Sequence, residues 1–242
     1  MVTLGNFFFK TRNYLFPVFY MVLFIPFPRF TENFYSIFFI GLGIALLGQF
    51  VRALTIGLVY VIRGGKNRRI YAEGLVTDGL FSHCRNPMYV GNVLLIIGMS
   101  ILSNSIVAVV VMIPLFIFIY QAIIKAEEYY LLNGYGEGYK TYCKNVDRWF
   151  PKLKGLSKTV AKNDFNLRKV IFKEYGTTFL WTLGATSLFA YNLFWLKTDG
   201  VPTADVLLLV AVLLLLGMVY LTARYLKKSS RKKQRQTKNL NE

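Results

Sequence analysis

One long, predominantly apolar run, from Phe34 to Ile62, constrains this chain more than any other feature. A helix needs about 20 apolar residues to cross a ~30 Å hydrocarbon core, and in lipid its backbone polar groups must be paired within the segment. The run therefore predicts a membrane-spanning helix. The composition agrees, since 55% of the residues are hydrophobic and only 17% are charged, against about 25% in ordinary soluble domains.

Further apolar segments predict more membrane spans. The first of them contains prolines and is short, so we expect a kinked or partly inserted helix there. The third and fourth spans are separated only by Ser103-Asn104-Ser105, which predicts a helical hairpin. The predicted fold class is all-α, a polytopic helical membrane protein with about six transmembrane helices. The five additional spans cover residues 14–27, 89–102, 106–124, 177–196 and 204–221.

The basic residues lie between and after the apolar runs. Their distribution predicts how the membrane spans are oriented. Residues 63–85 hold five Lys and Arg, residues 125–173 hold eleven, and the tail from Arg224 holds eight. Since such residues accumulate on the cytoplasmic side, we expect both termini in the cytosol. The net charge of +17 is therefore interpreted as topology signals and contacts to anionic lipid, not as nucleic-acid binding.

The segments suggest a division of the chain. Residues 1–62 would form N-terminal transmembrane helices, and residues 63–155 a core with the hairpin and two cytosolic segments. Residues 156–226 would add a linker and two further helices, and residues 227–242 a basic, disordered tail facing lipid.

Neither a disulfide nor a metal site is expected. Cys84 and Cys143 both fall in segments placed in the cytosol, where disulfides are rare. The chain has a single histidine and no Cys-x-x-Cys motif, so no metal-ligand spacing is present.

A first polar cluster, Ser82 to Gly91, precedes and enters the third span. Pro87 suits the first helical position, which places Asn86 at or near the N-cap. The exposed N–H groups of such a helix start could hold a carboxylate. An ordinary capped helix start with an interfacial tyrosine is the alternative, and His83 alone is more often a capping or packing residue.

A second polar cluster runs from Lys125 to Pro151. Adjacent Glu127 and Glu128 would point about 100° apart on a helix, so at most one would face a pocket squarely. We expect three glycines to break the helix, at positions 134, 136 and 138. Three tyrosines then share one face at helical spacing: Tyr135, Tyr139 and Tyr142. Interfacial packing is the alternative to a functional role for them.

Arg52 and a glycine series lie inside the long apolar run. An intramembrane charge is a functional hypothesis by default, but near the cytosolic end we favour a side chain that snorkels to the interface. The series Gly41-Leu42-Gly43 and Gly48 favours helix packing over a ligand loop.

Taken together, the two clusters resemble isoprenylcysteine carboxyl methyltransferases and their prokaryotic relatives. The first motif is Arg85-Asn86-Pro87-Met88-Tyr89-Val90-Gly91, similar to the family's Arg-(His/Asn)-Pro-x-Tyr-x-Gly. The second begins with Glu127-Glu128-Tyr129-Tyr130-Leu131 and continues through Tyr135-Gly136-Glu137-Gly138-Tyr139-Lys140-Thr141-Tyr142 to Val146, Arg148 and Pro151. The resemblance covers roughly residues 70–151, and phospholipid N-methyltransferases are similar over the same core.

This resemblance implies an integral membrane enzyme that uses S-adenosylmethionine and methylates a lipid or lipid-like acceptor. The active site would face the cytosol, at a bacterial inner membrane or at the endoplasmic reticulum. The implied catalytic residues are Arg85, Glu128 and Arg148. The implied cofactor-binding residues are His83, Arg85, Asn86, Tyr89, Gly91, Glu127, Glu128, Tyr139 and Tyr142.

Three alternatives remain at this point. The acceptor could be a phospholipid amine of the phosphatidylethanolamine type instead of a prenylcysteine carboxylate. The chain could be an NADPH-dependent membrane reductase of the steroid-reductase type, although Asn92 stands where those enzymes place a Glu. It could also be a non-catalytic scaffold or transporter, which would need neither polar cluster.

Overall fold

The computed structural model describes residues 1–59, 70–72, 74–196 and 202–240, and within these ranges the chain is helical, with no β-strand. Two compact units are present, Met1–Asn166 and Leu167–Glu242. The helices are α1 (Val2–Tyr20), α2 (Phe34–Leu58), α3 (Pro87–Leu102), α4 (Ile106–Asn145), α5 (Leu156–Lys162), α6 (Leu167–Leu196) and α7 (Thr203–Leu240). Short 3-10 helices cover Met21–Phe24 and Gly79–Ser82. The all-α prediction is confirmed for these ranges.

Three helices in the described ranges are long and apolar enough to cross a membrane, namely α2, α4 and the Thr203–Ser230 part of α7. Helix α3 is apolar but shorter; its 16 residues extend only about 24 Å at ~1.5 Å per residue. The protein is thus an integral membrane protein by the length and composition of its helices. Six spans and two cytosolic termini stay predictions.

Small residues let α2 and α3 approach each other closely. A Cβ on Gly98 would lie 2.5 Å from the backbone nitrogen of Ala45, and a Cβ on Gly41 would lie 2.6 Å from the carbonyl oxygen of Gly98. A Cβ on Gly48 would lie 2.7 Å from the oxygen of Gly91. The packing role predicted for Gly41 and Gly48 is confirmed, whereas Gly43 faces open space.

The hairpin between α3 and α4 turns where the sequence predicts it. Asn104 adopts a left-handed φ of 55°, and its buried side chain accepts hydrogen bonds from the backbone N–H groups of Phe30 and Thr31. Ser105 caps α4 by accepting from the N–H of Ala108 at 3.2 Å. The turn is therefore tied to the connection between α1 and α2, and it defines one end of the first unit.

Helix α1 packs antiparallel to α4. Its start contacts the middle of α4, since a Cβ on Gly5 would lie 2.0 Å from the carbonyl oxygen of Ala122. Its end lies further back along α4, where the rings of Tyr20 and Phe116 stack with centroids 5.6 Å apart. The helix begins at Val2, twelve residues before the predicted span 14–27, and it ends at Tyr20, before the end of that span. Pro17 lies within it.

The structure corrects two expected helix ends. Helix α4 continues to Asn145 instead of ending near 124, and of its three glycines only Gly136 leaves helical geometry, with φ 49° and ψ −122°. Helix α7 continues to Leu240, so the prediction of a disordered tail from 227 is wrong for the described residues. Lys, Arg and Gln are good helix formers, and no Gly or Pro follows Gly217.

The second unit is built on an α6–α7 pair. The ring of Tyr220 in α7 lies 4.5 Å from that of Phe179 and 5.4 Å from that of Tyr175, both in α6. The guanidinium of Arg168 donates to the hydroxyl of Ser230 at 2.8 Å. Both predicted final spans lie within these two helices, and α6 begins ten residues earlier than predicted, at Leu167.

Candidate functional site

The segment before α3 is fixed to the segment after α4 by backbone hydrogen bonds. The N–H of Arg85 donates to the carbonyl of Asp147 at 2.8 Å, and the N–H of Lys152 donates to the carbonyl of His83 at 3.0 Å. The buried thiol of Cys84, which forms no disulfide, donates to the carbonyl of Arg148 at 3.5 Å. The two polar clusters of the sequence are thereby brought together.

His83 connects this segment to α5. It is 6% exposed; Nδ1 lies 2.6 Å from the carbonyl oxygen of Lys152, and Nε2 lies 2.8 Å from the hydroxyl of Thr159. A neutral imidazole satisfies both contacts by donating from Nδ1 to the carbonyl and accepting from the hydroxyl. Because both ring nitrogens have protein partners, the structure gives His83 a positioning role.

Asn86 and Pro87 begin α3 as the sequence predicts, with Asn86 at the N-cap and Pro87 in the first turn. The Asn86 side chain makes no capping hydrogen bond and instead donates to the carbonyl of Arg148 at 3.2 Å. It is 2% exposed. Asn86 therefore joins the helix start to the second cluster.

Glu128 is held between two arginines. Arg148 binds it with both nitrogens of one edge, Nε at 3.0 Å from Oε1 and Nη2 at 2.6 Å from Oε2. Arg85 approaches from the other cluster, with Nη2 3.5 Å from Oε1. Burial alone would lower the pKa of Arg85, but the Glu128 carboxylate, together with Cys143 and Tyr139, outweighs it and the pKa is raised overall. Arg85 accordingly stays charged at every physiological pH.

Glu127 points to a different partner. It is 4% exposed, and its Oε1 accepts a 2.6 Å hydrogen bond from the hydroxyl of Tyr89 in α3. Glu127 and Glu128 lie in the interior of α4, not at a helix end, because the helix continues to Asn145. Both glutamates are thus engaged, each on its own side of α4, as their ~100° separation allows.

Two of the predicted tyrosines, Tyr139 and Tyr142, follow the Gly136 kink in α4. Tyr142 donates to the carbonyl of Phe81 at 2.6 Å, and the rings of Tyr139 and Tyr142 lie 6.1 Å apart. Both are buried against Ala72 and Leu131, with Tyr135 packed at the edge. These side chains form one apolar cluster. From the sequence alone, a role of the tyrosines in a site could not be distinguished from interfacial packing.

Gly91 faces α2. A Cβ there would lie 2.6 Å from Cγ of Arg52 and 2.8 Å from the carbonyl oxygen of Gly48. Glycine at this position therefore allows α2 to approach α3 closely.

Arg52 is the main polar residue whose burial and hydrogen-bond partner the sequence did not reveal. It is 8% exposed, and its guanidinium donates to the side-chain oxygen of Asn92 in α3. Asn92 also hydrogen-bonds Tyr120 of α4, whose ring lies 5.4 Å from that of Tyr89. The snorkelling interpretation is wrong, because a partner on α3 holds the guanidinium inside the bundle. Its position four residues after Gly48 indicates the helix face that packs on α3, but not the partner.

Removing the Tyr89 hydroxyl tests the pair with Glu127. We expect Tyr89→Phe to lower the free energy of unfolding by roughly 1–3 kcal/mol, because it deprives a buried carboxylate of a donor. Thermal unfolding in detergent measures this. Tyr129→Phe, at a tyrosine that is 54% exposed, is the matched control and should be neutral. Equal stability of the two variants would contradict the assignment.

Comparison with known proteins agrees with this arrangement. Residues 33–138 match the model of the phospholipid methyltransferase family. The chain is 28% identical over 136 residues to the protein-S-isoprenylcysteine O-methyltransferase of Schizosaccharomyces pombe, covering 53% of this chain and 56% of that protein. Residues 33–138 are thus similar to membrane methyltransferases, and the resemblance seen in the motifs is confirmed.

Two bacterial relatives carry other names. Over 114 residues the chain is 32% identical to the cobalt-zinc-cadmium resistance protein CzcN of Cupriavidus metallidurans, covering 47% of each protein. Over 108 residues it is 31% identical to the nickel-cobalt-cadmium resistance protein NccN of Alcaligenes xylosoxydans xylosoxydans, covering 41% of this chain and 50% of that protein. The chain spans about half the length of the curated relatives it matches. No matching solved structure was found.

These findings support a methyltransferase and give no support to the steroid-reductase alternative. The matched region includes Arg52, Tyr89, Glu127 and Glu128 and ends before Tyr139 and Arg148. In the described part of the chain, no three His, Cys, Asp or Glu side chains are grouped so that they could hold a metal ion.

Proposed function

We propose that the protein transfers a methyl group from S-adenosylmethionine to a lipid-like acceptor at the cytosolic face of a membrane. The observation that carries this proposal is the cluster in which Glu128 lies between Arg85 and Arg148, beside the Tyr89–Glu127 hydrogen bond. These five positions are ones at which the sequence resembles the family's motifs, and all but Arg148 lie inside the matched residues 33–138.

The side chains present fit this cofactor. Arg85 and Arg148 are the cations that would bind its carboxylate, and Glu128 is the anion that would pair with its ammonium or with ribose hydroxyls. Tyr139 and Tyr142, both buried, offer aromatic faces to a cation. The cofactor would supply a methyl group on a sulfonium, a good leaving group in a direct displacement.

The chain's own contribution is chiefly positioning. Methyl transfer needs donor and acceptor in line, so holding both in place supplies much of the rate. His83 and Asn86 fix the loop that carries Arg85. Glu127, kept in place by Tyr89, is the group that could take the proton of an amine acceptor. A carboxylate acceptor would instead be oriented by an arginine, for which Arg148 is the candidate.

The acceptor class can be distinguished by the chemistry of the product. With methyl-labelled S-adenosylmethionine and a lipid extract, we expect the label to enter a lipid fraction. Mild alkali releases the label of a prenylcysteine-like methyl ester as volatile methanol, whereas the label of an N-methyl lipid stays on the amine and is not volatile. Arg148→Ala provides the inactive control. Absence of label in lipid, with a protein that binds the cofactor, would contradict a lipid acceptor.

The proposed orientation has support from charge. The segment 125–173, with its eleven Lys and Arg, includes the part of α4 that carries Gly136 and the residues up to Lys152 that close the cluster. A cytosolic location of this segment gives the polar cofactor access from water and the acceptor access from lipid. The host membrane would be a bacterial inner membrane or the endoplasmic reticulum. The basic C-terminal part of α7 would then contact anionic lipid.

A further inference from the structure

A groove lies between the start of α1 and the C-terminal half of α4, on a different side of α4 from Glu128. It has a volume of about 650 Å³. Asn6, Phe9 and Lys10 of α1 line one side, and Tyr129, Tyr130 and Gly134 of α4 line the other. Helix α1 lies outside the matched residues 33–138, so the family match does not account for this groove.

The lining combines one cation with aromatic rings. Lys10 supplies the positive charge, and no carboxylate is among the described lining residues. Phe9 is buried at the base, and Tyr129 and Tyr130 are exposed at 54% and 37%. Aromatic rings beside a basic residue are typical of the level at which lipid headgroups lie.

The groove also lies at the right depth. On α4 it follows directly after the apolar segment that ends at Ile124, and Lys125 is exposed there. Toward the opposite face, forward along α1 and back along α4, apolar side chains are exposed, among them Tyr14 and Val18 of α1 and Phe118 of α4. A headgroup in the groove would therefore continue into acyl chains along an apolar surface.

We propose that this groove binds the headgroup of an anionic phospholipid, with its phosphate on Lys10 and its glycerol region against Tyr129 and Tyr130. The occupant is anionic because the described lining residues offer a cation and hydrogen-bond donors and include no carboxylate. Such a site is independent of the cofactor cluster, which lies around Glu128.

Lipid binding to the full chain, measured by native mass spectrometry in detergent, tests this proposal. Titration with phosphatidylglycerol should show a tightly held first lipid that phosphatidylcholine does not give. Lys10→Gln should weaken that lipid about fivefold, the effect of one basic residue near an anionic surface, while Lys10→Arg should keep it. Lys144→Gln is the matched control, because it removes the same charge from a residue of α4 that does not line the groove.

A second variant tests the shape of the groove independently of charge. Gly134→Leu should also weaken the first phosphatidylglycerol, because it fills the groove without a backbone clash, a Cβ there having open space. Gly138→Leu, equally open and outside the lining, should not. Equal effects of Lys10→Gln and Lys144→Gln, or of the two leucine variants, would overturn the proposal, as would equal retention of phosphatidylcholine. Cofactor titrations of the same samples report separately on the methyltransferase.

Discussion

Glu128→Ala is expected to lower the affinity for S-adenosylmethionine at least about 30-fold, equivalent to ~2 kcal/mol. The substitution leaves the guanidiniums of Arg85 and Arg148 without the carboxylate that holds them, at 3.5 and 2.6 Å. Both the anion that would contact the cofactor and the placement of the two cations are then lost. Isothermal calorimetry on detergent-purified protein measures the affinity.

The same variant should also be less stable. Breaking a buried ion pair by removing one partner costs about 3–5 kcal/mol. The lower end applies here, because the side chain of Arg148 is 33% exposed. Glu137→Ala is the matched control on the same helix, since that side chain is 82% exposed and pairs with Lys140. If Glu128→Ala binds the cofactor as Glu137→Ala does, the cluster is not the cofactor site.

Gly98→Ala should destabilise the protein by roughly 1–3 kcal/mol, the usual cost of inserting atoms into a packed interface. Its new Cβ would lie 2.5 Å from the backbone nitrogen of Ala45 and 2.6 Å from the oxygen of Gly41. Backbone atoms of α2 cannot move aside as a flexible side chain would. The two helices must separate, which also disturbs the hydrogen bond between Arg52 and Asn92.

Gly43→Ala provides a control of opposite sign. A Cβ at Gly43 has nothing within 4 Å, and alanine is favoured over glycine in a helix by about 1 kcal/mol. We expect the midpoint of thermal unfolding to fall for Gly98→Ala and to stay or rise for Gly43→Ala. A fall of the same size in both variants would contradict the close packing of α2 on α3.

Much of the fold could be predicted from the sequence, because apolar runs and turn residues are local signals. The hairpin turn at 103–105 and the start of α3 at Asn86 and Pro87 both came out as expected. The end of α4 did not, because glycine only weakens a helix. Gly134 and Gly138 stay helical, and only Gly136 departs from helical angles. Whether a glycine breaks a helix depends on packing that the sequence does not show.

The sequence indicated which residues to consider for the candidate site, but not how they contact one another. Motif order indicated Arg85, Glu128 and Arg148, and the structure brings them into contact. Nothing in the sequence distinguishes Glu127 from Glu128, since their partners lie 38 and 20 residues away. His83 likewise gave no sign of its contact with Thr159 in α5.

Arg52 shows where a general rule gave the wrong answer. A cationic side chain near the end of an apolar run is expected to extend to the interface. Here Asn92 of α3 accepts its hydrogen bond within the bundle, an arrangement that requires the close α2–α3 approach at Gly48 and Gly91. The pairing of two distant residues is a tertiary property, so a single sequence without its fold could not reveal it.

The most direct test of the central claim is the binding of S-adenosylmethionine to the intact, detergent-purified protein by calorimetry. We predict saturable binding of one cofactor per chain, which Arg85→Ala and Glu128→Ala weaken strongly and Glu137→Ala leaves unchanged. No heat of binding from a protein that unfolds cooperatively, and is therefore folded, would contradict the methyltransferase assignment.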